Sequence, residues 1–294
     1  MSTQTDTVEA SGLPALFEEF FATKTAGDVD ETMAYFAPDM AGYMDATLGW
    51  DLDSYAALKA VFERYMPTWA PPARSYASKI LAGEQSALVH MVDTPELFGG
   101  ELRILASVDF ADGKIARWID YWDSTAYDTE LYDRFRTPAE NFPKDLKDTQ
   151  VTTRAAGELI KTATTLQRAF ATADAAAAAA TMHTDVVLVD MALRTQVFGR
   201  IETARYLERV LRRAPYGRDS TLRHIVGGSG GGGFESTAAP HTNGLVGIAA
   251  LELDSDGLIT PITSVYDSRQ LDRATTDSLR GAAIAADTNH ERNL

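Results

Sequence analysis

Hydrophobic residues near the start of the chain recur with the spacing of an amphipathic helix. Leu13, Leu16, Phe17, Phe20 and Phe21 fall at i, i+3, i+4, i+7 and i+8, so they share one helical face. The positions between them are mostly polar or small. The pattern predicts a helix that packs on a core through its phenylalanine face.

Two stretches of the chain repeat the same order of predicted elements. In each, the first helix is followed by a short second helix with an aspartate as N-cap, Asp28 in the first stretch and Asp174 in the second. A strand comes next, predicted over Met40–Thr47 and Val186–Met191. The third helices are predicted in DLDSYAALKAVFERY and RIETARYLERVLRRA, where apolar residues again form one stripe.

Each stretch ends in four runs that are typical of antiparallel strands. The dipeptides Asp112-Gly113 and Asp256-Gly257 mark the last hairpin turn of each stretch. The predicted strands are Arg74–Leu81, Ser86–Asp93, Glu101–Phe110 and Lys114–Asp123 in the first stretch, and Leu222–Val226, Phe234–Thr237, Leu245–Leu253 and Leu258–Asp267 in the second.

This order of elements predicts an α+β protein made of two tandem domains. Each domain would pack three helices on a curved, mostly antiparallel sheet and form a cone with one open end. A charged stretch with two prolines, RTPAENFPKDLKDTQ, separates the domains. The predicted segments are a disordered tail (1–12), the first domain (13–135), a linker (136–157), the second domain (158–271) and a helical tail (272–294) that frays at TNHERNL.

The composition narrows the classes of function. The chain has 294 residues with 42 acidic and 27 basic side chains, for a formal net charge of −15. Such a chain repels nucleic acid and anionic membranes on average, so neither is expected as a partner. It has no cysteine, which excludes disulfides and thiolate chemistry. Its first residues lack a signal-peptide pattern and no apolar run could span a bilayer, so a cytoplasmic location is expected.

Candidate chemistry is concentrated in the last strand of the first domain, in ARWIDYWDSTAYD. Trp118, Asp120 and Trp122 alternate there and share one face of the strand. A buried carboxylate between two indoles is poorly solvated in its charged form, which raises its pKa and suits a general acid or base. The alternative is the opposite facing of the strand, in which Asp120 would lie at a solvent edge.

Further candidates lie earlier in the first domain. Asp45 is on the predicted first strand, in GYMDATLGW, with Tyr43 on the same face and Trp50 shortly after. His90 and Asp93 occur in LVHMVDT, where strand alternation puts them on opposite faces. The alternative roles are structural: Asp45 would bind a turn, and His90 would pack within the sheet.

Two motifs resemble the nuclear-transport-factor-2-like (NTF2-like) superfamily, and its SnoaL-like members in particular. AGDVDETMAYFAPDMAGYMD is similar to the segment that joins the family's second helix to its first strand. GKIARWIDYWD is similar to the last strand of limonene epoxide hydrolases and SnoaL-like polyketide cyclases. The tandem arrangement resembles the two-domain polyether epoxide hydrolases. The resemblance is strongest over Leu13–Asp128 and weaker over Glu158–Leu271.

The resemblance implies roles for several residues. The face of the last strand that carries Asp120 would line the cone, with Asp120 at the place of a catalytic carboxylate. Asp45 would occupy the place of an acidic base, and Asp93 that of the aspartate in an Arg-x-Asp pair. Met91 stands in the arginine place, so the water-activating device of the epoxide hydrolases is incomplete. The segment MPTWAPPARSY also lacks the glutamate that polyether hydrolases pair with their aspartate.

The second domain carries less of this chemistry. Asp190 is the counterpart of Asp45, but Ser264 stands where Asp120 stands in the first domain. The segment IVGGSGGGGFES lacks the Lys-Ser/Thr of a phosphate-binding loop and is interpreted as a flexible hairpin connection. The five histidines have no metal-ligand spacing, and nothing resembles a nucleotide-binding motif, so neither a metal nor a cofactor is expected.

These features predict a cofactor-independent acid/base enzyme that acts on a small, mostly apolar metabolite. The reaction would be epoxide opening, cyclisation, isomerisation or dehydration. The alternative is a non-catalytic small-molecule-binding or interaction module of the same fold. The candidate residues are Asp120, Asp45 and His90 for catalysis, and Tyr43, Trp50, Asp93, Trp118 and Trp122 for substrate binding.

The two domains are expected to form an intramolecular pseudo-dimer, and further oligomerisation stays open. A pseudo-twofold axis would relate residues 13–128 to 158–271, with Ile119, Tyr121 and Val265 in the contact. The first domain should hold the larger polar-lined cavity, because it has both Asp45 and Asp120.

Overall fold

The computed structural model describes residues 12–242 and 244–287. The chain forms two halves with the same order of elements, and each half contains one six-stranded sheet. The elements of the first half are α1 (Gly12–Ala26), α2 (Val29–Met33), β1 (Gly42–Asp45), β2 (Trp50–Leu52), α3 (Tyr55–Tyr65), β3 (Ser75–Ala82), β4 (Ser86–Asp93), α4 (Pro95–Phe98), β5 (Leu102–Ala111), β6 (Lys114–Tyr121) and α5 (Thr129–Phe135).

The second half repeats this plan, which confirms the predicted α+β class and its tandem arrangement. Its elements are α6 (Gly157–Ala171), α7 (Ala175–Ala179), β7 (Met182–Asp190), β8 (Thr195–Phe198), α8 (Arg200–Val210), β9 (Thr221–Gly228), β10 (Gly231–Thr237), β11 (Val246–Leu253), β12 (Ile259–Tyr266) and α9 (Arg273–Asp287).

The two sheets share one topology. Their strand orders are β2-β1-β6-β5-β4-β3 and β8-β7-β12-β11-β10-β9. Neighbouring strands are antiparallel except for β1 with β6 and β7 with β12, which are parallel. The parallel pair in the first half brings the carboxyl-terminal ends of β1 and β6 to the same edge of the sheet, where the candidate carboxylates lie.

Two expectations from the sequence concern the chain ends and membrane-spanning segments. The predicted disordered tail and the frayed end lie outside the described residues, apart from Gly12 at the start of α1. Within the described part of the chain, no helix combines the length and the apolar character that crossing a membrane requires.

Each half has one strand more than the sequence pattern predicts. The strand predicted over Met40–Thr47 is the first arm of a hairpin, in which β1 pairs with β2 across a turn that contains Gly49 at a φ of +76°. The helix predicted to follow begins only at Tyr55, where the Ser54 side chain accepts a hydrogen bond from the Ala57 N–H. Strands of three or four residues are too short to show a clear alternation of apolar and polar residues. The hydrophobic pattern therefore does not separate them from the neighbouring segments.

The glycine-rich segment is part of the second sheet, so its interpretation as a flexible connection is wrong. Its glycines end β9 and begin β10. A Cβ atom at Gly228 would lie 2.2 Å from the Ala82 carbonyl oxygen, and one at Gly233 would lie 2.7 Å from Leu88 Cδ1. Glycine therefore lets the second sheet approach the first half more closely than any side chain would permit.

Three apolar clusters hold the molecule together. Each half has its own core between the helices and the sheet, and in the first half Phe17, Phe20 and Phe21 of α1 pack around Trp118. The third cluster joins the two sheets; it consists of Met44, Ala46, Leu88, Leu105, Ile119, Tyr121, Leu146, Val226, Ile248, Ala250 and Val265. Alternation along β6 thus points Trp118 into the first core and its neighbour Ile119 into the contact between the halves.

The segments that follow β6 and β12 make reciprocal contacts. Asp267 Oδ1 accepts hydrogen bonds from the Ser124 hydroxyl over 2.6 Å and the Ser124 N–H over 3.2 Å. Asp123 Oδ1 accepts the equivalent bonds from Ser268 over 2.8 Å and 2.9 Å. The two segments therefore exchange equivalent hydrogen bonds, each aspartate accepting from the serine of the other half.

Candidate active site

The parallel pairing of β1 with β6 brings two carboxylates side by side. Asp45 lies opposite Asp120 in the strand register, and Tyr43 lies opposite Trp118. Adjacent strands are about 4.8 Å apart, so side chains in register on one face are direct neighbours. Tyr43 and Trp118 both pack with the core between the helices and the sheet, which makes this face the inner face of the cone.

Both oxygens of Asp120 accept hydrogen bonds from aromatic side chains. Trp118 Nε1 donates to Oδ1 over 2.6 Å, and the Tyr43 hydroxyl donates to Oδ2. The two rings stack with their centroids 6.0 Å apart. Asp120 is only 4% exposed, which excludes the alternative in which it lies at a solvent edge.

Asp45 is held by the turn that follows β1. Its Oδ1 accepts hydrogen bonds from the N–H groups of Thr47 and Leu48 over 2.8 Å and 2.7 Å. Trp122 Nε1 donates to its Oδ2 over 2.9 Å. The residue therefore does bind a turn, as the structural alternative predicted, but it also borders the cavity that Asp120 lines.

A buried ion pair lies in the same region. Lys24, in the last turn of α1, places Nζ 3.4 Å from both carboxylate oxygens of Asp93 at the end of β4. The Ser75 hydroxyl also donates to Asp93. Both charged side chains are almost fully buried, so the lysine brings a positive charge into an apolar interior.

These charged groups share one cavity of about 50 Å³. A cavity of this size holds a few water-sized groups, so a larger substrate requires movement of side chains at the mouth. Among the described residues, no group of three or more His, Asp or Glu side chains could hold a metal ion. The polar lining comprises Lys24, Asp45, Asp93 and Asp120, and the aromatic lining comprises Tyr43, Trp50, Phe62, Tyr65, Trp69, Phe98, Tyr127 and Phe135.

Burial moves the pKa values of the two neighbouring carboxyls toward neutrality. It raises the pKa of Asp45 to about 7, and the charge of Asp120 contributes to the same effect. It also raises the pKa of Asp120 to about 6, against the opposing hydrogen bonds from Tyr43 and Trp118 and the charge of Lys24. Burial and Asp120 together raise the pKa of Tyr43, which keeps its hydroxyl a hydrogen-bond donor. Two adjacent carboxyls that titrate near pH 7 can divide the roles of acid and base.

The structure brings most of the predicted site residues together. Tyr43, Trp50 and Asp93 line the cavity beside the two carboxylates. Trp118 and Trp122 lie behind the carboxylates and act on them through their indole N–H groups. Trp50 donates its own N–H to the Phe135 carbonyl oxygen over 2.7 Å, so this group is occupied by the backbone.

His90 does not line the cavity, and its assignment as a catalytic candidate is not supported by its position. Strand alternation places it with Leu88 on the face of β4 that turns toward the second half. Burial, together with the nearby charge of Lys79, lowers its pKa to about 4. The imidazole is therefore neutral at pH 7 and lies on the opposite side of the sheet from Asp93.

Sequence reasoning missed three of the polar lining groups. Lys24 continues the apolar face of α1, because it falls three residues after Phe21 and eleven after Leu13; a lysine on such a face is a signal of a buried charge. Trp69 contributes an indole Nε1 that is buried without a hydrogen-bond partner among the described residues. Tyr127 follows the last strand and packs on Trp122, a contact that has no periodic signal in the sequence.

The second half has the same strand register as the first half but lacks the second carboxylate. Asp190 and Ser264 pair as Asp45 and Asp120 do. The cavity beside Ser264 is about 10 Å³, and no carboxylate lines it. Asp190 borders instead a wide, open groove of about 690 Å³ between the two halves. Of the two cone cavities, that of the first half is thus the larger and the more polar.

Replacing Asp190 with asparagine is expected to stabilise the protein in a pH-dependent way. Burial raises its pKa to about 7 from an ordinary value of 3.8. Between about pH 4 and pH 7 the unfolded chain therefore releases a proton that the native state keeps, and the free energy of unfolding falls as the pH rises. Asparagine can still accept from the Leu193 N–H and can donate to Tyr266.

Urea unfolding at pH 4.5 and pH 8 measures this effect. Asp190→Asn should differ little from the wild type at the lower pH and gain about 2–4 kcal/mol over it at the higher pH. A difference that is the same at both pH values would show that Asp190 does not retain its proton in the native state.

Comparisons with known proteins concern the fold. No protein-family model matches the chain, and no curated protein is significantly similar to it. Similar solved structures include a protein of Silicibacter pomeroyi DSS-3 with a cystatin-like fold, at 21% identity and a TM-score of 0.37, where the match covers 46% of this chain and 92% of that one. Another is an NTF2-like protein of Burkholderia xenovorans LB400, at 14% identity and a TM-score of 0.34, covering 49% of this chain and 97% of the other. A steroid delta-isomerase of Pseudomonas aeruginosa matches at 15% identity and a TM-score of 0.36, covering 48% and 99%.

Proposed function

We propose that the first half is a cofactor-independent acid/base enzyme that moves a proton within a small, mostly apolar carbonyl compound. One observation carries this proposal: Asp45 and Asp120 are neighbours in register, and both border a cavity that also contains the Lys24 ammonium. Two carboxyls that titrate near neutral pH can take and return a proton. A buried cation stabilises the negative charge that develops in between.

The reaction that suits these groups is a shift of a carbon–carbon double bond. A carboxylate takes a proton from the carbon next to the carbonyl, and the electron pair of that C–H bond forms the enolate. Lys24, which keeps Asp93 as its counter-ion, donates a hydrogen bond to the enolate oxygen. The protonated carboxyl then returns the proton to the γ-carbon, so the substrate is isomerised and the enzyme is unchanged.

Epoxide opening is less well supported by the same groups. It requires a water molecule that several polar side chains hold against the epoxide carbon, and Met91 provides no such contact, since it packs in the apolar core. The positive charge next to Asp93 comes from Lys24 on α1. It does not come from the strand position of Met91, where the resemblance implies an arginine. Cyclisation and dehydration would use the same acid and base, but they form or break further bonds and so lie outside the proposed proton shift.

A binding module is the second candidate. The observation that favours it is that the protein already satisfies both carboxylates: Asp45 accepts three hydrogen bonds and Asp120 accepts two. Since every carboxylate oxygen already has a donor from the protein, the two residues could shape a pocket without taking part in a reaction. Turnover separates the two candidates, because a binding module would hold a carbonyl compound without moving its proton.

The test is an isomerisation assay with a small β,γ-unsaturated ketone such as β,γ-cyclohexenone. Conversion to the conjugated α,β isomer is followed by its ultraviolet absorbance, and deuterium uptake from heavy water identifies the exchanged carbon. The proposal expects enzyme-dependent conversion that saturates with substrate. Saturable binding of the ketone with neither conversion nor deuterium exchange would support the binding module instead.

Replacing Lys24 with methionine is expected to lower kcat about 100-fold with a smaller change in KM, because the lysine acts on charge that develops in the transition state. The substitution leaves Asp93 buried without its counter-ion, so some loss of stability is expected as well.

The double variant Lys24→Met/Asp93→Asn separates these two effects. It removes both charges, so stability should recover while kcat remains low. Recovery of kcat together with stability would show that Lys24 has only a structural role. Lys59→Met removes a lysine from an exposed ion pair and is the control for the loss of one positive charge.

A further inference from the structure

The cavity opens into a wider depression on the surface. This outer depression, here called the vestibule, has a volume of about 620 Å³. Its lining shares Trp50, Leu52, Val61, Tyr65 and Phe135 with the inner cavity. The shared residues form the boundary between the two spaces, so a molecule that enters the cavity by this route first occupies the vestibule.

Three aromatic rings form this boundary. The rings of Trp50 and Tyr65 stack with centroids 6.1 Å apart, and the Phe135 ring lies 6.2 Å from the first and 6.3 Å from the second. Trp50 is fixed to the backbone of Phe135 by its indole N–H. Such rings suit the passage of an apolar group, and their negative faces disfavour that of an anion.

Two arginines stand on the outer side of these rings. Arg64 and Arg134 both line the vestibule, with their guanidinium carbons 5.3 Å and 5.4 Å from the ring centroids of Tyr65 and Phe135. Among the described residues, neither has an acidic side chain within ion-pair distance. The one acidic residue in the vestibule lining, Asp51, is paired with Lys147 over 3.3 Å.

The helix ends account for only part of the position of these arginines. Each lies in the last turn of its helix, where a positive charge is favourable. That effect stabilises each helix by itself, and it does not require that both guanidinium groups border the same depression. With 42 acidic side chains in the protein, two arginines without acidic partners at one cavity mouth produce a local positive field.

We infer that the substrate carries an anionic group, a carboxylate or a phosphate, which Arg64 and Arg134 bind in the vestibule while its apolar part enters the cavity. The substrate class is thus an amphipathic acid. This inference rests on the proposed function, because it assigns the anionic end of the same substrate. Guanidinium groups bind carboxylate and phosphate oxygens through paired N–H donors.

The test compares probes that have the same apolar part and different end groups. Phenylbutanoate, phenylbutanamide and 3-phenylpropyl phosphate share the phenylpropyl group, and their binding is measured by quenching of tryptophan fluorescence and by calorimetry. The wild type is expected to bind at least one anion about tenfold more tightly than the amide. The preferred anion distinguishes a carboxylate substrate from a phosphorylated one.

Arg64→Gln/Arg134→Gln should remove this preference and leave the affinity for the amide unchanged. The unchanged amide affinity would also show that the double variant is folded. Arg74→Gln is the matched control, because this exposed arginine also lies over a nearby tyrosine ring, at 5.2 Å from its centroid, but does not line the vestibule. It should keep the full preference for the anion.

Four results would overturn the inference: equal affinities for anion and amide, no binding of any probe, an anion preference that persists in Arg64→Gln/Arg134→Gln, or the same loss of preference in Arg74→Gln. These measurements need no turnover. An anion preference that depends on the two arginines in a protein without isomerase activity would refute the proposed reaction and retain the binding site. Isomerase activity on neutral ketones without an anion preference would support the proposed reaction and refute the anion-binding site.

Discussion

Asp120→Asn is expected to lower kcat for the proton shift by about 10²–10⁴-fold, the usual contribution of a general acid or base. Asparagine has the shape of aspartate but cannot take up a proton. Its oxygen can still accept from Trp118, and its amide group can donate to Tyr43 in place of the bond that Tyr43 donates now. KM should change little, because the packing around the site is kept.

Asp45→Asn should cause a loss of similar size, but with a structural cost. The asparagine oxygen can accept from Thr47 and Leu48, which leaves its amide group facing the Trp122 N–H, donor against donor. At pH 5, where burial keeps Asp45 protonated, this conflict should destabilise the protein by about 1–3 kcal/mol; at pH 8 the removal of a buried charge offsets it. If the two carboxyls act as one unit, the double variant should lose little more activity than Asp120→Asn alone.

Asp190→Asn is the matched control for both variants. Asp190 is also buried and has a similarly raised pKa, but it lies in the other half and outside the cavity. Its substitution should leave kcat unchanged. An Asp120→Asn variant that keeps wild-type kcat would remove this carboxyl from the chemistry and would favour the binding module.

The pH dependence of the rate gives a further check on the same residues. Since the base must be ionised, kcat/KM should rise with pH through the range of about 6 to 7 in which these carboxyls titrate. Asp120→Asn removes the neighbouring charge that raises the pKa of Asp45, so the residual activity should titrate at a lower pH.

Part of the site was predictable from the sequence because it depends on strand alternation. The run of Trp118, Asp120 and Trp122 has a period of two, and burial of one member implies burial of the others. Alternation also separates His90 from Asp93, and the structure places His90 accordingly on the other face. The face of a strand on which a side chain lies can thus be predicted from the sequence where the alternation is regular.

The rest depends on contacts between distant segments. The pairing of Lys24 with Asp93 joins residues 69 positions apart, and no local pattern specifies the partner of a lysine on an apolar face. The glycine run has no side chains and hence no period, so its place in a strand follows only from the close approach of the other half. Arg117 lies among apolar neighbours on β6, which signals a buried charge, but its partner Glu235 is 118 positions away.

The second prediction with a large expected effect concerns stability and the buried side chain of Arg117. Its guanidinium group donates to both carboxylate oxygens of Glu235, over 2.8 Å and 2.7 Å, and to Asp109 over 3.2 Å. Tyr121 donates to Glu235 over 2.8 Å, and His224 lies 2.8 Å from Asp109. All five side chains are buried between the two sheets, so a buried polar network links the halves beside the apolar cluster that joins the sheets.

Replacing Arg117 with methionine should destabilise the protein by roughly 3–5 kcal/mol, because two carboxylates would stay buried without their cation. Burial alone would raise the pKa of Glu235, yet Arg117 holds that pKa at about 2. In the variant this pKa should rise strongly, so Glu235 would bind a proton in the native state. The loss of stability should therefore be larger at pH 8 than at pH 5.

The double variant Arg117→Met/Glu235→Leu tests whether the loss comes from the unpaired charge. With one anion removed as well, it should be more stable than Arg117→Met alone, since the net value of a buried pair is far smaller than the cost of breaking it. Lys59→Met, which breaks an exposed pair with Asp30, should change stability by less than about 1 kcal/mol. If Arg117→Met is as mild as Lys59→Met, the two sheets are held together by their apolar contact, and the buried charges contribute little to the association of the halves.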